Sequence, residues 1–326
     1  MTATLHRRAT HDAQETDANR DTGAIIVVEG KIMVVWSTIE ACCPVCGNRL
    51  RLREVGSGFS TGQDSDLFVR MQGKHIIQAE IHTCHHCCFS GYTDDFLDDI
   101  SAKTQEMFLR DVAPQLLAQD ENETSLLRST RRSKNESSTK RMRSLKPVRA
   151  EKAERSSRSR KATTSGRSPK RQQGPNRCKT TPLPHVQYDW AARTAEALGL
   201  SAYEQAHRLL RAYWCLRIAP SANLDEKVLA RLRKSYLQQA IRKFRQELRY
   251  QKDPHVVFLV AEICRRNGNF ALAMGYFRRF LEREKQTKGY LRQAAEKLYL
   301  ASKERISVEL SMEEVLYKPA PDEEVS

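Results

Sequence analysis

Three cysteines and three histidines crowd the stretch HTCHHCCFSG: His82, Cys84, His85, His86, Cys87 and Cys88. A second group, CCPVCGN, holds Cys42, Cys43 and Cys46. Each group contains a Cys-x2-Cys pair, Cys43/Cys46 and Cys84/Cys87, with 37 residues between the pairs. Two residues between thiolates let both sulfurs turn toward one point while backbone N–H groups face them. Two such knuckles brought together place four sulfurs in a tetrahedron, the geometry of a structural zinc. Gly47, just after the first knuckle's second thiolate, suits a turn that needs positive φ. The expected ligands of a Zn2+ ion are therefore Cys43, Cys46, Cys84 and Cys87. Four thiolates leave no open position for water, which argues for a structural metal and against hydrolysis.

Other chemistries fit the residues less well. A Cys-x-x-Cys can be a redox dithiol, usually at a helix N-terminus in a βαβ setting; neither pair here is followed by such a helix. Cys42 and Cys88 read as small semi-buried residues beside the pairs. His82, His85 and His86 are candidates to replace a cysteine, but His85 and His86 lie inside the knuckle and should point outward. No Ser/His/Asp set, phosphate loop or carboxylate pair can be assembled, so the chain is expected not to be an enzyme.

The knuckles need strands to position them. AIIVVEGKIMVVW is rich in β-branched residues, with a turn at Glu29-Gly30, and SDLFVRMQGKHIIQAEIHT again has a strand-like pattern. Residues 24–127 are therefore expected to form a zinc-ribbon-like β module, ending in short helices that Pro114 breaks. Residues 1–23 precede it as a disordered N-terminus. Residues 128–183 hold 19 of the chain's 55 Lys and Arg against three of its 40 acids, Glu136, Glu151 and Glu154, for a net of +16. The overall charge is +15, so the rest of the chain carries −1. This tract has too few apolar residues to offset its chain entropy and is expected to be a disordered linker.

Residues 184–308 read as an all-α domain. VQYDWAARTAEALG ends at Gly199, a C′ residue, and Ser201 and Glu204 form a capping box for the next helix. A longer helix follows with an apolar stripe of Leu229, Leu232, Tyr236, Ala240, Phe244 and Leu248. Opposite it lies a basic row, Arg231, Lys234, Arg242, Arg245, Arg249 and Lys252, either a solvated face or a dock for an acidic peptide or phosphates. Asp253-Pro254 then supplies an N-cap and first position. VVFLVAEICRRNGNFALAMGYFRRFLERE resembles one tetratricopeptide unit: Ala261 and Ala273 at the helix crossing, Gly268 and Asn269 at the turn, Phe270, Phe277 and Phe280 in the groove. Residues 309–326 are left as a tail. The fold class is thus α+β: a zinc-ribbon-like module and a tetratricopeptide-like domain joined by a basic linker.

No segment approaches the run of about 20 apolar residues that spans a bilayer, and the N-terminus lacks the apolar core of a secretory signal. Nine cysteines suit a reducing compartment. A cytoplasmic protein without membrane insertion is expected.

The motifs also resemble those of the bacterial DUF2225 family. The matching positions are Cys43, Pro44 and Cys46; Asp64, Ser65 and Asp66; Cys84 and Cys87; and Asp95 with Phe96. Cys88 stands where the family usually has glycine, Phe89 where it often has tyrosine, and His85 where it often has proline. The resemblance covers residues 30–115 and 186–305 and implies a fold and not an activity. Two functions compete. One is a non-enzymatic adaptor whose helical repeat binds a protein partner. The other is a nucleic-acid binder using the knuckles and the basic linker, whose lack of aromatic residues makes that contact non-specific. The adaptor is favoured.

Overall fold

The computed structural model describes residues 20–21, 25–28, 31–58, 60–71, 76–119, 182–218, 225–250, 253–283 and 289–317. The disorder expected of residues 1–23 and 128–183 falls outside this set, except at 20–21 and 182–183. The turn at Glu29-Gly30 also lies outside it.

The N-terminal part is a set of small antiparallel hairpins. β3 (Lys31–Cys42) is the spine; β1 (Arg20–Asp21) and β2 (Ile25–Val28) pair with it, and so does β4 (Arg49–Gly58). The β3–β4 register runs from Cys42↔Arg49 to Val34↔Gly58, with a bulge at Val35/Trp36. β1 belongs to the expected N-terminal tail, yet its backbone pairs with Thr38 and Ile39. Two short hairpins follow, β5 (Ser60–Gln63) with β6 (Val69–Met71), and β7 (His82–Thr83) with β8 (Ser90–Gly91). The strand content expected around residues 65–83 is thinner than the apolar pattern suggested, because Asp64–Asp66 form a turn and Ile76–Gln78 a 3-10 turn.

α1 (Thr93–Leu97) and α2 (Ala102–Met107) come next. Pro114 does not break the helix as expected. The chain passes from α2 through a π-turn, Phe108–Val112, straight into helical residues 113–119. A proline lacks an N–H and its ring presses on the carbonyl four residues back. The widened turn, in which the Ala113 N–H reaches the Phe108 carbonyl, makes the room.

The helical part comprises α3 (Pro184–Ala197), α4 (Ala202–Ile218), α5 (Glu226–Glu247), α6 (Pro254–Arg266), α7 (Phe270–Arg283), α8 (Tyr290–Lys303) and α9 (Met312–Tyr317). The mixed α+β class is as the sequence indicated. Local signals act where they stand. Gly199 and Gly268 take φ of 71° and 77°, Ser201 and Glu204 bond reciprocally, and Asp253 accepts from the His255 N–H at 2.8 Å. α6 and α7 form the expected helix pair, with Ala261 and Ala273 fully buried and Phe258 packed edge-on against Phe277 and Phe280. α6 is buried along Val256–Arg266, so it is the central helix.

The two halves share their cores. One core joins Phe68, Ile77 and Ile81 to α3–α9; the other packs the knuckle cysteines, Phe89, Phe96 and Phe108 against Val186 and Trp190 of α3. Segments of the chain lie against the alternate helices α4, α6 and α8. Residues 64–95 bond to α4 and α6, while residues 306–310 reach α6 and α9 packs on α8. Within the segment read as a tail, Met312–Tyr317 form a helix whose Met312 and Val315 find apolar cover in the helical core.

Candidate metal centre

Both knuckles are built on one plan. Each is a six-residue turn closing a β-hairpin: residues 43–48 between β3 and β4, and residues 84–89 between β7 and β8. In the first, the Cys43 N–H donates to the Asn48 carbonyl at 2.9 Å and the Gly47 N–H to the Cys43 carbonyl at 2.8 Å. In the second, the Cys84 N–H donates to Phe89 and the Cys88 N–H to Cys84, both at 2.8 Å. Gly47 and Cys88 occupy equivalent left-handed positions, with φ of 67° and 62°. That conformation is open to glycine and costs an L-residue about 1–2 kcal/mol. Cys88 thus holds a strained position while fully buried.

The hairpins bring four sulfurs together. Cys43 Sγ lies 3.6 Å from Cys87 Sγ, Cys46 Sγ lies 3.6 Å from Cys84 Sγ, and all four fall within 4.8 Å of one another. A tetrahedral ion with sulfur at about 2.3 Å requires sulfur–sulfur spacings of about 3.8 Å. The cluster could therefore hold a metal ion. Cys43, Cys84 and Cys87 are buried and Cys46 is half-buried, against apolar walls of Val45, Leu52, Phe89 and Ala113.

The thiols depend on one another. Hydrogen bonds from Cys43 and then Cys87 stabilise the Cys84 thiolate and hold its pKa far below the usual thiol range. Cys43 is pushed up to about 12, first by its bond to Cys84, and Cys87 is raised by its bonds to Cys43 and Cys84. Burial raises Cys46. A cation entering the cluster must displace the protons that the buried thiols share.

The flanking residues stay outside. Cys42 is exposed, and the Cys88 sulfur is not part of the cluster. His85 is exposed and His86 half-buried on the rim of a groove of ≈ 780 Å³ beside the first knuckle. His82 bonds to the Arg53 carbonyl at 3.0 Å and lies edge-on to Phe96, and burial lowers its pKa.

The other motif residues clamp the module to the helices. Asp66 is fully buried and accepts from Trp214 Nε1 at 2.8 Å and from Arg217 at 3.2 Å, with Arg266 at 3.1 Å. Ser65 donates to Glu262 at 2.6 Å and accepts from Arg266 at 3.0 Å. Asp64 pairs with Arg217 and Arg70; burial, the largest influence, raises its carboxyl against the pull of Arg217. Glu262 also takes a two-pronged contact from Arg265 at 2.7 and 2.8 Å, and Glu309 closes the network toward Arg217 and Arg266. Burial works against charge on Arg266, but Asp66 and Glu262 more than offset it, so the guanidinium stays protonated. A second clamp sits at Asp95. Its carboxylate caps the Tyr92 N–H at 2.7 Å and receives Arg208 at 2.7 and 2.9 Å.

These partners escaped the sequence reading. The available signal was Glu262, Arg265 and Arg266 in an otherwise apolar helix, at the spacing that puts all three on one face. The basic row on α5 behaves differently: Arg242, Arg245 and Arg249 line one groove with Arg279 of α7. Arg231 and Lys234 are exposed nearer the helix start, and Lys252 lies outside the described residues.

A family model described as "Uncharacterized protein conserved in bacteria (DUF2225)" matches residues 37–130. This part of the chain is a DUF2225 domain. No curated protein and no solved structure matches the chain. The match includes both knuckles, the Asp64–Asp66 turn and the Asp95 clamp, but it ends before the helical array. Within the DUF2225 domain, then, the distinctive residues divide into two groups: four sulfurs that converge on one point, and acids that reach across to arginines of α4 and α6. No described helix is long and apolar enough to cross a membrane.

Proposed function

We propose that the protein is a non-enzymatic adaptor in which a structural Zn2+, held by Cys43, Cys46, Cys84 and Cys87, staples the DUF2225 domain, and the tetratricopeptide-like helices present it to a protein partner. The observation that carries this reading is the closed set of four sulfurs at tetrahedral spacing in an apolar surround. Such a site fills its coordination with protein and offers neither water nor substrate a place. The acids of the domain support it: Asp64, Asp66 and Asp95 are consumed in bonds to arginine, leaving them unsuited to proton transfer.

In this reading the partner uses surfaces of the helices that residues 64–95 and 306–317 leave open, since those segments already bond to or pack on α4, α6 and α8. Metal content tests the adaptor's foundation. The purified protein should carry one zinc per chain, and Cys84→Ser should lose it together with the fold of residues 37–100, since binding and folding are coupled in small metal modules. Retention of full zinc by Cys84→Ser would refute the ligand set.

A further inference from the structure

We propose that the groove between α5 and α7 binds single-stranded nucleic acid. This goes beyond the adaptor reading and depends neither on the metal nor on a protein partner. The groove has a volume of ≈ 580 Å³, and Arg242, Arg245, Arg249, Arg279, Tyr250 and Tyr276 line it. Arg242 and Arg245 lie about one turn apart on α5, about 4.5 Å at 1.5 Å of rise per residue, and Arg249 follows in the turn just past the helix. Arg279 enters from α7, three residues after Tyr276. None of the four makes an ion pair among the described residues. The buried arginines of the fold, Arg208, Arg217, Arg265 and Arg266, all meet carboxylates. Four unmatched guanidiniums converging from two helices repel one another and call for an anion.

The rings decide which anion. Tyr250 is 81% exposed, and Tyr276 is half-buried on the opposite wall. A large exposed ring beside guanidiniums suits a base stacked on it, with arginine forks on the flanking phosphates. An acidic peptide would use the charges of the arginine cluster but would leave the exposed tyrosine ring without a planar partner. The lining offers one aliphatic side chain, Leu248, and it is 6% exposed. A strand with unpaired bases is the polyanion that uses both the arginines and the tyrosines.

The basic tract at 128–183 attracts any polyanion, so affinity alone tests nothing about the groove. That tract holds no aromatic residue, and its attraction does not depend on bases. The experiment therefore measures, on the full chain, labelled dT15 against an abasic 15-mer of equal charge. The groove should favour dT15 by about tenfold, the scale of a stacked base. Tyr250→Ala and, separately, Arg245→Glu should abolish that preference while leaving abasic binding nearly unchanged. Both residues are exposed, so neither change threatens the fold. A parallel arm with rU15 distinguishes RNA from DNA as the source of the strand. Equal affinity for dT15 and the abasic chain would overturn the proposal. So would a preference that survives both variants, or displacement of dT15 by a 15-residue poly-glutamate at equal concentration.

Discussion

His185, at the second position of α3, is 6% exposed and packs edge-on against Tyr236. Burial holds its pKa down at about 4, against about 6.5 for a free imidazole. The sign follows from proton counts. Below pH 6.5 the unfolded chain takes up a proton that the folded chain refuses, so stability is whole above that pH and falls until the folded pKa is reached. The loss is about 1.4 kcal/mol per pH unit, or about 2 kcal/mol between pH 6.5 and 5. His207, which burial and then Arg211 and Arg208 lower to about 3, adds to the loss. Asp64, raised by burial, acts in the opposite sense, but in the carboxylate range. Urea unfolding at pH 7 and pH 5 should show the drop, and His185→Gln should reduce it by about 2 kcal/mol; an unchanged difference would contradict the burial argument. Neither histidine's role was legible in the sequence. An imidazole on a helix face carries no mark of what will cover it, whereas the cysteines declare themselves by spacing alone.

At the scale of elements, the most demanding junction is where β8 meets α1. A Cβ built on Gly91 would stand 2.5 Å from Asp95 Oδ2 and 2.7 Å from its Cβ. Asp95 cannot give way, because the Tyr92 N–H and Arg208 pin its carboxylate. Gly91→Ala should therefore destabilise the protein by about 1–3 kcal/mol, the usual cost of overpacking. A thermal or urea midpoint equal to that of the unmodified protein would contradict this contact. Helix and turn positions such as Gly199, Asp253 and Gly268 could be read directly, because their signals act within a few residues. Pro114 misled for the opposite reason. Whether a proline ends a helix or sits beside a π-turn is decided by the packing of Phe108 and Leu116 into the metal-side core.

At the scale of the molecule, the DUF2225 domain and the helices form one body through contacts far apart in sequence. Asp66 reaches Trp214 across 148 residues, and Ser65 reaches Glu262 across 197. No local pattern could announce such pairs, and so the sequence suggested separate halves with an open helical face. A specific protease site placed between residues 128 and 181, once cut, should leave two pieces that elute together in size exclusion. Asp66→Ala leaves the buried Trp214 Nε1–H without its acceptor and removes one carboxylate each from Arg217 and Arg266, which keep Asp64 and Glu262; it should cost about 1–3 kcal/mol and let the cut pieces part. Separate elution of the cut but otherwise unmodified protein would show that the clamp does not hold the halves.

The central claim is that four protein sulfurs, and nothing else, complete the metal site. X-ray absorption at the zinc edge of the purified protein tests it most directly. Four sulfur neighbours at about 2.3 Å, with no oxygen or nitrogen at about 2.0–2.1 Å, is the expected result. Three sulfurs with one oxygen or nitrogen would mean an open or histidine-bearing site, and would contradict the account.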